Sequence, residues 1–142
     1  MIDRKTPEEI EIMAEGGGIL GRTLVELLEK AQAGVTLLEI EQLAQQRIAE
    51  AGGTPSFQTV KDYKWATCLC VNDVVVHGIP TKYLLKEGDI LTVDVGMVYK
   101  GFHTDTAWTK SIGNQKDDIF LETGKIALNK AIEQARVGNR IG

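Results

Sequence analysis

The chain has 142 residues, with 16 Lys+Arg against 20 Asp+Glu for a formal charge of −4, 43% hydrophobic and 25% charged residues. A chain of this length buries roughly two-thirds of the surface it exposes when unfolded, so one core can hold it without disulfides or a structural metal. The composition argues against disordered, fibrous and membrane classes, and a mild acidic excess without basic clusters argues against nucleic acid as a partner.

The opening Met1-Ile2-Asp3-Arg4-Lys5-Thr6-Pro7 lacks the basic-then-apolar order of a secretory signal, and no apolar run reaches membrane-helix length, so a cytoplasmic location is expected. Thr6, Pro7 and Glu9 form a helix start with a capping box. Ile10, Met13, Leu20, Leu24, Leu27 and Leu28 follow at helical spacing. Gly16-Gly17-Gly18 interrupts them at about 1 kcal/mol per glycine, a cost accepted where a helix packs closely on another backbone. A second helix repeats the pattern, with Thr36 and Glu39 as its capping box, Ile40, Leu43, Ala44, Ile48 and Ala51 as its apolar face, and Gly52-Gly53 as its stop.

From Thr54 to Gly113 the period becomes strand-like. Candidate strands lie at 65–71, 74–77, 90–98 and 102–112, punctuated by Gly78, Pro80 and Gly88-Asp89. Residues 117–136 turn helical again, with Leu121, Leu128, Ala131, Ile132 and Ala135 on one side. Val137-Gly138-Asn139-Arg140-Ile141-Gly142 then reads as a helix stop followed either by a frayed end or by the start of a further element. Two helices, a block of strands and a helix indicate an α+β fold, with helices covering one face of an antiparallel sheet, in a single domain over 1–142.

Cys68 and Cys70 share one face of the strand at 65–71 and are expected as reduced, half-buried thiols, because a disulfide across one residue would strain an extended backbone. Asp94 and Asp105 stand in strands otherwise filled by Leu, Val, Ile, Thr, Phe and Trp, where a carboxylate needs a partner or a cation. A tight turn at Tyr99-Lys100 would put them directly opposite one another, whereas a bulge at Gly101 would slip the register by one. Two carboxylates so close either share a proton or hold divalent cations; the alternative is a pair of strand-edge aspartates bonded to amides or lysines. His77, placed where Val74-Val75-Val76 runs into Gly78-Ile79-Pro80, can serve as a metal ligand or as a hydrogen-bonding imidazole at a scissile amide. His103 reads as structural.

Three ordered motifs, Asn72-Asp73-Val74-Val75-Val76-His77-Gly78-Ile79-Pro80, Leu85-Lys86-Glu87-Gly88-Asp89-Ile90-Leu91-Thr92-Val93-Asp94-Val95-Gly96 and Gly101-Phe102-His103-Thr104-Asp105, resemble bacterial-type methionine aminopeptidase. The resemblance runs from Lys5-Thr6-Pro7-Glu8-Glu9-Ile10 to Gly138-Asn139-Arg140-Ile141-Gly142. It implies half of a pita-bread fold, the N-terminal half of a catalytic domain that removes the initiator methionine from nascent chains. On that resemblance Asp94 and Asp105 are ligands of two divalent ions per complete site (Mn, Fe, Co or Zn), with Asp105 bridging. His77 is the catalytic histidine, and Phe57, Tyr63 and Cys68 line the pocket for the methionine side chain. The stretch Lys61-Asp62-Tyr63-Lys64-Trp65 departs from the family's usual loop, and Thr104 stands where glycine is frequent. The family's other ligands, one histidine and two glutamates, and its second catalytic histidine would follow Gly142. The expected partners are a peptide or nascent-chain N-terminus and, through the face the missing half would cover, a second copy of the chain. The competing reading is a non-catalytic peptide- or protein-binding half-fold.

Overall fold

Both expected helix starts form as capping boxes in the computed structural model, which describes residues 4–113 and 118–140. Asp117, Ile141 and Gly142, assigned above to the third helix and to a further element, lie outside the described residues, as do Met1, Ile2 and Asp3. Helix α1 spans Pro7–Lys30, where Thr6 Oγ1 accepts from the Glu9 amide at 3.2 Å and Glu9 Oε2 accepts from the Thr6 amide at 2.8 Å. Helix α2 spans Leu37–Glu50 and is capped in the same way by Thr36 and Glu39. The helix of α1 runs unbroken through its glycine triplet. A Cβ on Gly16 would lie 3.2 Å from Tyr99 Cβ, so one of the three glycines answers to close packing, while Gly17 meets nothing.

Four strands follow: β1 (Thr54–Pro55), β2 (Thr67–Val71), β3 (Ile90–Tyr99) and β4 (Phe102–Ser111), all paired antiparallel. β3 is central, with β1 and β2 along one edge and β4 along the other. Alternation along β3 separates two faces. Leu91, Val93, Val95 and Met97 are fully buried and join Leu20, Leu27, Ile40 and Ile48 of the helices in one apolar cluster. Thr92, Asp94 and Gly96 point the other way. Helix α3 (Asp118–Gln134) follows β4 and buries none of its residues. Among the described residues no helix is long and apolar enough to cross a membrane.

Two local expectations are corrected. The β3–β4 hairpin turns at Lys100-Gly101, whose φ values of 47° and 86° make the mirror-image two-residue turn that matches strand twist. Asp94 therefore pairs with Ala107, and Asp105 with Gly96, rather than the aspartates with each other. The shift from the expected register is two residues, an even number, so both carboxylates stay on one face as diagonal neighbours.

The strand expected at 74–77 does not form. Asn72 and His77 both have φ of 53°, outside extended geometry, and Val75 is 86% exposed. The chain instead returns to the free edge of β2 only at Gly78, whose carbonyl accepts from the Leu69 amide at 2.8 Å. That approach requires glycine: a Cβ there would lie 2.2 Å from the Leu69 carbonyl oxygen.

Candidate active site

The face of the sheet away from α1 and α2 carries the chemistry. Cys68 on β2 pairs with Asp94 on β3, Cys70 pairs with Thr92, and Asp105 on β4 lies diagonal to Asp94 on the same side. Before β2, the short 3-10 helix Phe57–Thr59 folds back so that the Phe57 ring covers Gly96, where a Cβ would meet Phe57 Cε1 at 2.6 Å. Phe57 and Tyr63 meet edge to face, with ring centroids 6.3 Å apart. Past β2, the 72–80 loop supplies His77 and Ile79.

These elements enclose a cavity of about 390 Å³ lined by Phe57, Val60, Tyr63, Cys68, His77, Ile79, Asp94 and Asp105. All six residues singled out from the sequence meet there. Val60 and Ile79 line it as well and were missed; their only sequence signal is an apolar residue beside a turn or a proline, which is common on ordinary surfaces.

The cavity is divided chemically. Two rings, two aliphatic side chains and a thiol make up the apolar part of its lining. Tyr63 Oη donates to the Thr67 carbonyl at 2.8 Å and lies 3.2 Å from Cys68 Sγ; its single proton being committed, the thiol is the donor to Tyr63. Burial and then the Cys68 contact push the Tyr63 hydroxyl well above its usual pKa. Burial likewise raises that of Cys68, so both stay neutral near pH 7. Both thiols are free, as expected.

The carboxylates and the imidazole make up the rest of the lining. Burial first, and then the charge and hydrogen bond of Asp105, push Asp94 up to about 6. A partly buried carboxyl whose ionisation a second carboxyl further opposes is a place where a divalent cation would stabilise both ionised forms. In kind, then, the donors fit such an ion. In number they supply two: among the described residues no group of three or more His, Cys, Asp or Glu gathers around one point. His77 is solvent-exposed at the cavity wall. His103 stays apart, its Nδ1 hydrogen-bonded to Ser56 Oγ at 2.7 Å, a structural contact as expected.

One acidic group escaped the sequence reading. Glu41 of α2 is 1% exposed, and its carboxylate accepts from the Ala66 amide at 2.7 Å, the Thr67 amide at 3.0 Å, the Thr67 hydroxyl and Gln45. It fixes the start of β2, and hence Cys68, against the helix layer. Within α2 it looks like any surface glutamate, so no signal in the sequence marks it.

Comparison with known proteins agrees with this geometry. The description of metallopeptidase family M24 matches residues 11–142. The chain is 38% identical over 143 residues to methionine aminopeptidase 1 of Bacillus subtilis (strain 168), covering 99% of this chain and 58% of that protein. It is 38% identical to the methionine aminopeptidase of Clostridium perfringens, covering 57% of it, so the chain spans rather more than half the length of these relatives. Among solved structures, methionine aminopeptidase from Thermotoga maritima superposes with a TM-score of 0.88 at 37% identity, over 96% of this chain and 55% of that one. The prolidase from Pyrococcus horikoshii OT3, 20% identical with a TM-score of 0.78, shares the fold. The architecture is thus the α+β, pita-bread type common to these neighbours. The chain belongs to metallopeptidase family M24, a family of divalent-metal hydrolases, and is similar within it to the methionine aminopeptidases.

Proposed function

We propose that this chain serves the hydrolytic removal of an N-terminal methionine from peptides and nascent proteins, as the N-terminal half of a methionine aminopeptidase-like unit. The observation that carries the reading is one cavity whose lining combines soft apolar side chains with two neighbouring carboxylates and an imidazole. The flexible, polarizable thioether of methionine suits walls of aromatic ring, thiol and branched aliphatic side chain. Phe57, Val60, Tyr63, Cys68 and Ile79 hold that side chain and exclude water from it. Tyr63 and Cys68, neutral near pH 7, add no charge to those walls.

Asp94 and Asp105 are the residues that hold divalent metal, two ions in a complete site. Such ions supply Lewis-acid polarisation of the scissile carbonyl and a nucleophile at neutral pH. His77 meets the amide nitrogen of the scissile bond, where one imidazole nitrogen donates and the other accepts. The exposed ring is free to approach a bound peptide.

Two carboxylates are few ligands for a divalent ion, which favours a second reading: the chain binds peptide N-termini without cleaving them until further ligands join the site. A second copy of the chain is the partner proposed for that, in the cytoplasm. Ile119, Phe120 and Ile132 of α3 are 85%, 70% and 60% exposed, and patches of this kind seldom stay solvated. Turnover of Met-Ala-Ser by the purified protein, with and without Mn²⁺ or Co²⁺, together with bound-metal content, tests the first reading. Cleavage that requires metal supports it, while binding of the peptide with no turnover at any metal concentration favours the second. Sedimentation equilibrium tests the pairing, and a single species at the 15.6 kDa chain mass would exclude it.

A further inference from the structure

The segment that presents His77 is held at its two ends, with the Val74 amide also donating to the Val71 carbonyl at 3.1 Å beside the near one. Residues 73–77 are all exposed, with Val74, Val75 and Val76 at 46%, 86% and 65%, so little packing fixes them. The far end is held by Gly78, whose carbonyl takes the Leu69 amide and whose amide meets Cys70 Sγ at 3.4 Å. The near end is held by Asn72. Its backbone amide donates to the Ile90 carbonyl at 2.9 Å, its side-chain oxygen accepts from the Ile90 amide at 2.9 Å, and its Nδ2 donates to Asp89 Oδ1 at 2.9 Å.

Asp89 is itself 6% exposed and held from the other side, accepting from Tyr83 Oη at 3.0 Å and from the Lys86 amide at 2.9 Å. Asn72 therefore sits in its positive-φ conformation because three hydrogen bonds clamp it to the first residue of β3 and to the acid before it. β3 is the strand that carries Asp94. The clamp thus ties the base of the His77 loop to the strand that carries one of the two carboxylates.

We propose that the Asn72–Asp89 pair is a positioning device, setting where His77 stands relative to Asp94 across the cavity. It rests on the reading of His77 as the group that meets the substrate amide only for its catalytic consequence; the ordering of the loop stands by itself. A loop pinned at two points, with five exposed residues between them, has its geometry decided mainly by the pins. Loss of either pin releases the imidazole while the sheet behind it stays intact.

The test compares Asn72→Gly with Tyr83→Phe. Glycine keeps the positive φ and removes the side-chain clamp but also frees the backbone. Asn72→Asp, which keeps Cβ, tolerates positive φ and lacks only the Nδ2 donor to Asp89, is therefore measured beside it and is expected to lower the order of 74–77 as well. Tyr83→Phe takes a donor from the same Asp89 carboxylate without touching the loop. ¹⁵N relaxation is measured for residues 73–77, with amide exchange at Val93 and Val95 as the record of the sheet, well below each variant's unfolding temperature. In Asn72→Gly the order parameters of 74–77 are expected to fall below about 0.6 from a rigid value, with exchange at Val93 and Val95 unchanged. Tyr83→Phe is expected to leave the loop at wild-type values. Unchanged order in either Asn72 variant, or an equal fall in Tyr83→Phe, overturns the proposal. Where the metal-loaded protein turns over Met-Ala-Ser, Asn72→Gly lowers kcat on the order of tenfold to a hundredfold with KM little changed. A wild-type protein without turnover counts against the proposed activity and leaves the relaxation result to decide the clamp.

Discussion

Glu41 and Asp94 are both acidic side chains pressed against β2 and β3, one on each face of the sheet. On the helix side Glu41 is almost fully buried, yet two amides, a hydroxyl and Gln45 surround its carboxylate with donors. On the cavity side Asp94 is less buried, yet the polar group that acts on it is another carboxyl, and burial with that neighbour pushes it up to about 6. Burial therefore does not distinguish a structural acid from one suited to chemistry. The neighbours do, because donors satisfy a negative charge within the fold whereas a second acid leaves a demand that only a proton or a cation meets.

The largest test of that contrast is Glu41→Ala. It strands two buried amides and the Thr67 hydroxyl, and we predict a loss of about 3–5 kcal/mol in urea unfolding. A loss under about 1 kcal/mol would mean that water or Gln45 replaces the carboxylate and that the structural half of the comparison is wrong. Gly78→Ala acts on the other face. Its methyl would collide with the Leu69 carbonyl rather than with a movable side chain, so a loss of about 2–3 kcal/mol is expected, with faster exchange of the Leu69 amide and little change at Val93.

Asp94→Asn should move stability the opposite way. A folded pKa raised from 3.8 to about 6 means that the folded chain binds more protons than the unfolded one through that window, so wild-type stability falls as pH rises through it. The variant lacks this decline. Its advantage should be nil near pH 3, grow between about pH 4 and 6, and reach about 1–2 kcal/mol at pH 7 in metal-free buffer, discounted for partial solvent access. Added Mn²⁺ should narrow the gap by stabilising the wild type. A variant less stable than wild type at pH 7 without metal would place Asp94 with Glu41 as a structural acid.

Asp89 sharpens the comparison with the smallest effect. Burial opposes its ionisation, but Asn72, the Lys86 amide and Tyr83 outweigh burial and hold its carboxyl below the usual range. Its contribution is therefore present above the ordinary carboxylate pKa and lost as pH falls through the depressed folded value. Acid titration of wild type against Asp89→Asn should show the two stability curves converging at the acid end. Curves that stay parallel down to pH 2 would remove Asp89 from the satisfied group.

What the sequence by itself determined is whatever a few neighbouring residues decide. Thr6 with Glu9 and Thr36 with Glu39 close their capping boxes over three residues, so both helix starts were legible. The strands at Ile90 and Phe102 were legible because alternation of apolar residues is a local pattern, and their antiparallel hairpin followed. That Asp94 and Asp105 share a face survived an incorrect turn, since strand parity is unchanged by a two-residue shift. Their resemblance-based company of Phe57, Tyr63, Cys68 and His77 also gathers around one cavity. Tertiary structure alone decided the rest. Three valines before His77 looked like a strand, but the β2 edge beside them is taken up by Gly78, and they form an exposed loop. Glu41 became an anchor only when the start of β2 arrived beside it with donors from residues 25 and 26 positions away. Phe57 became a cavity wall only because Gly96 left room for its ring. Each of these depends on which segments meet across the fold, and a contact between segments far apart in the chain leaves no period in either one.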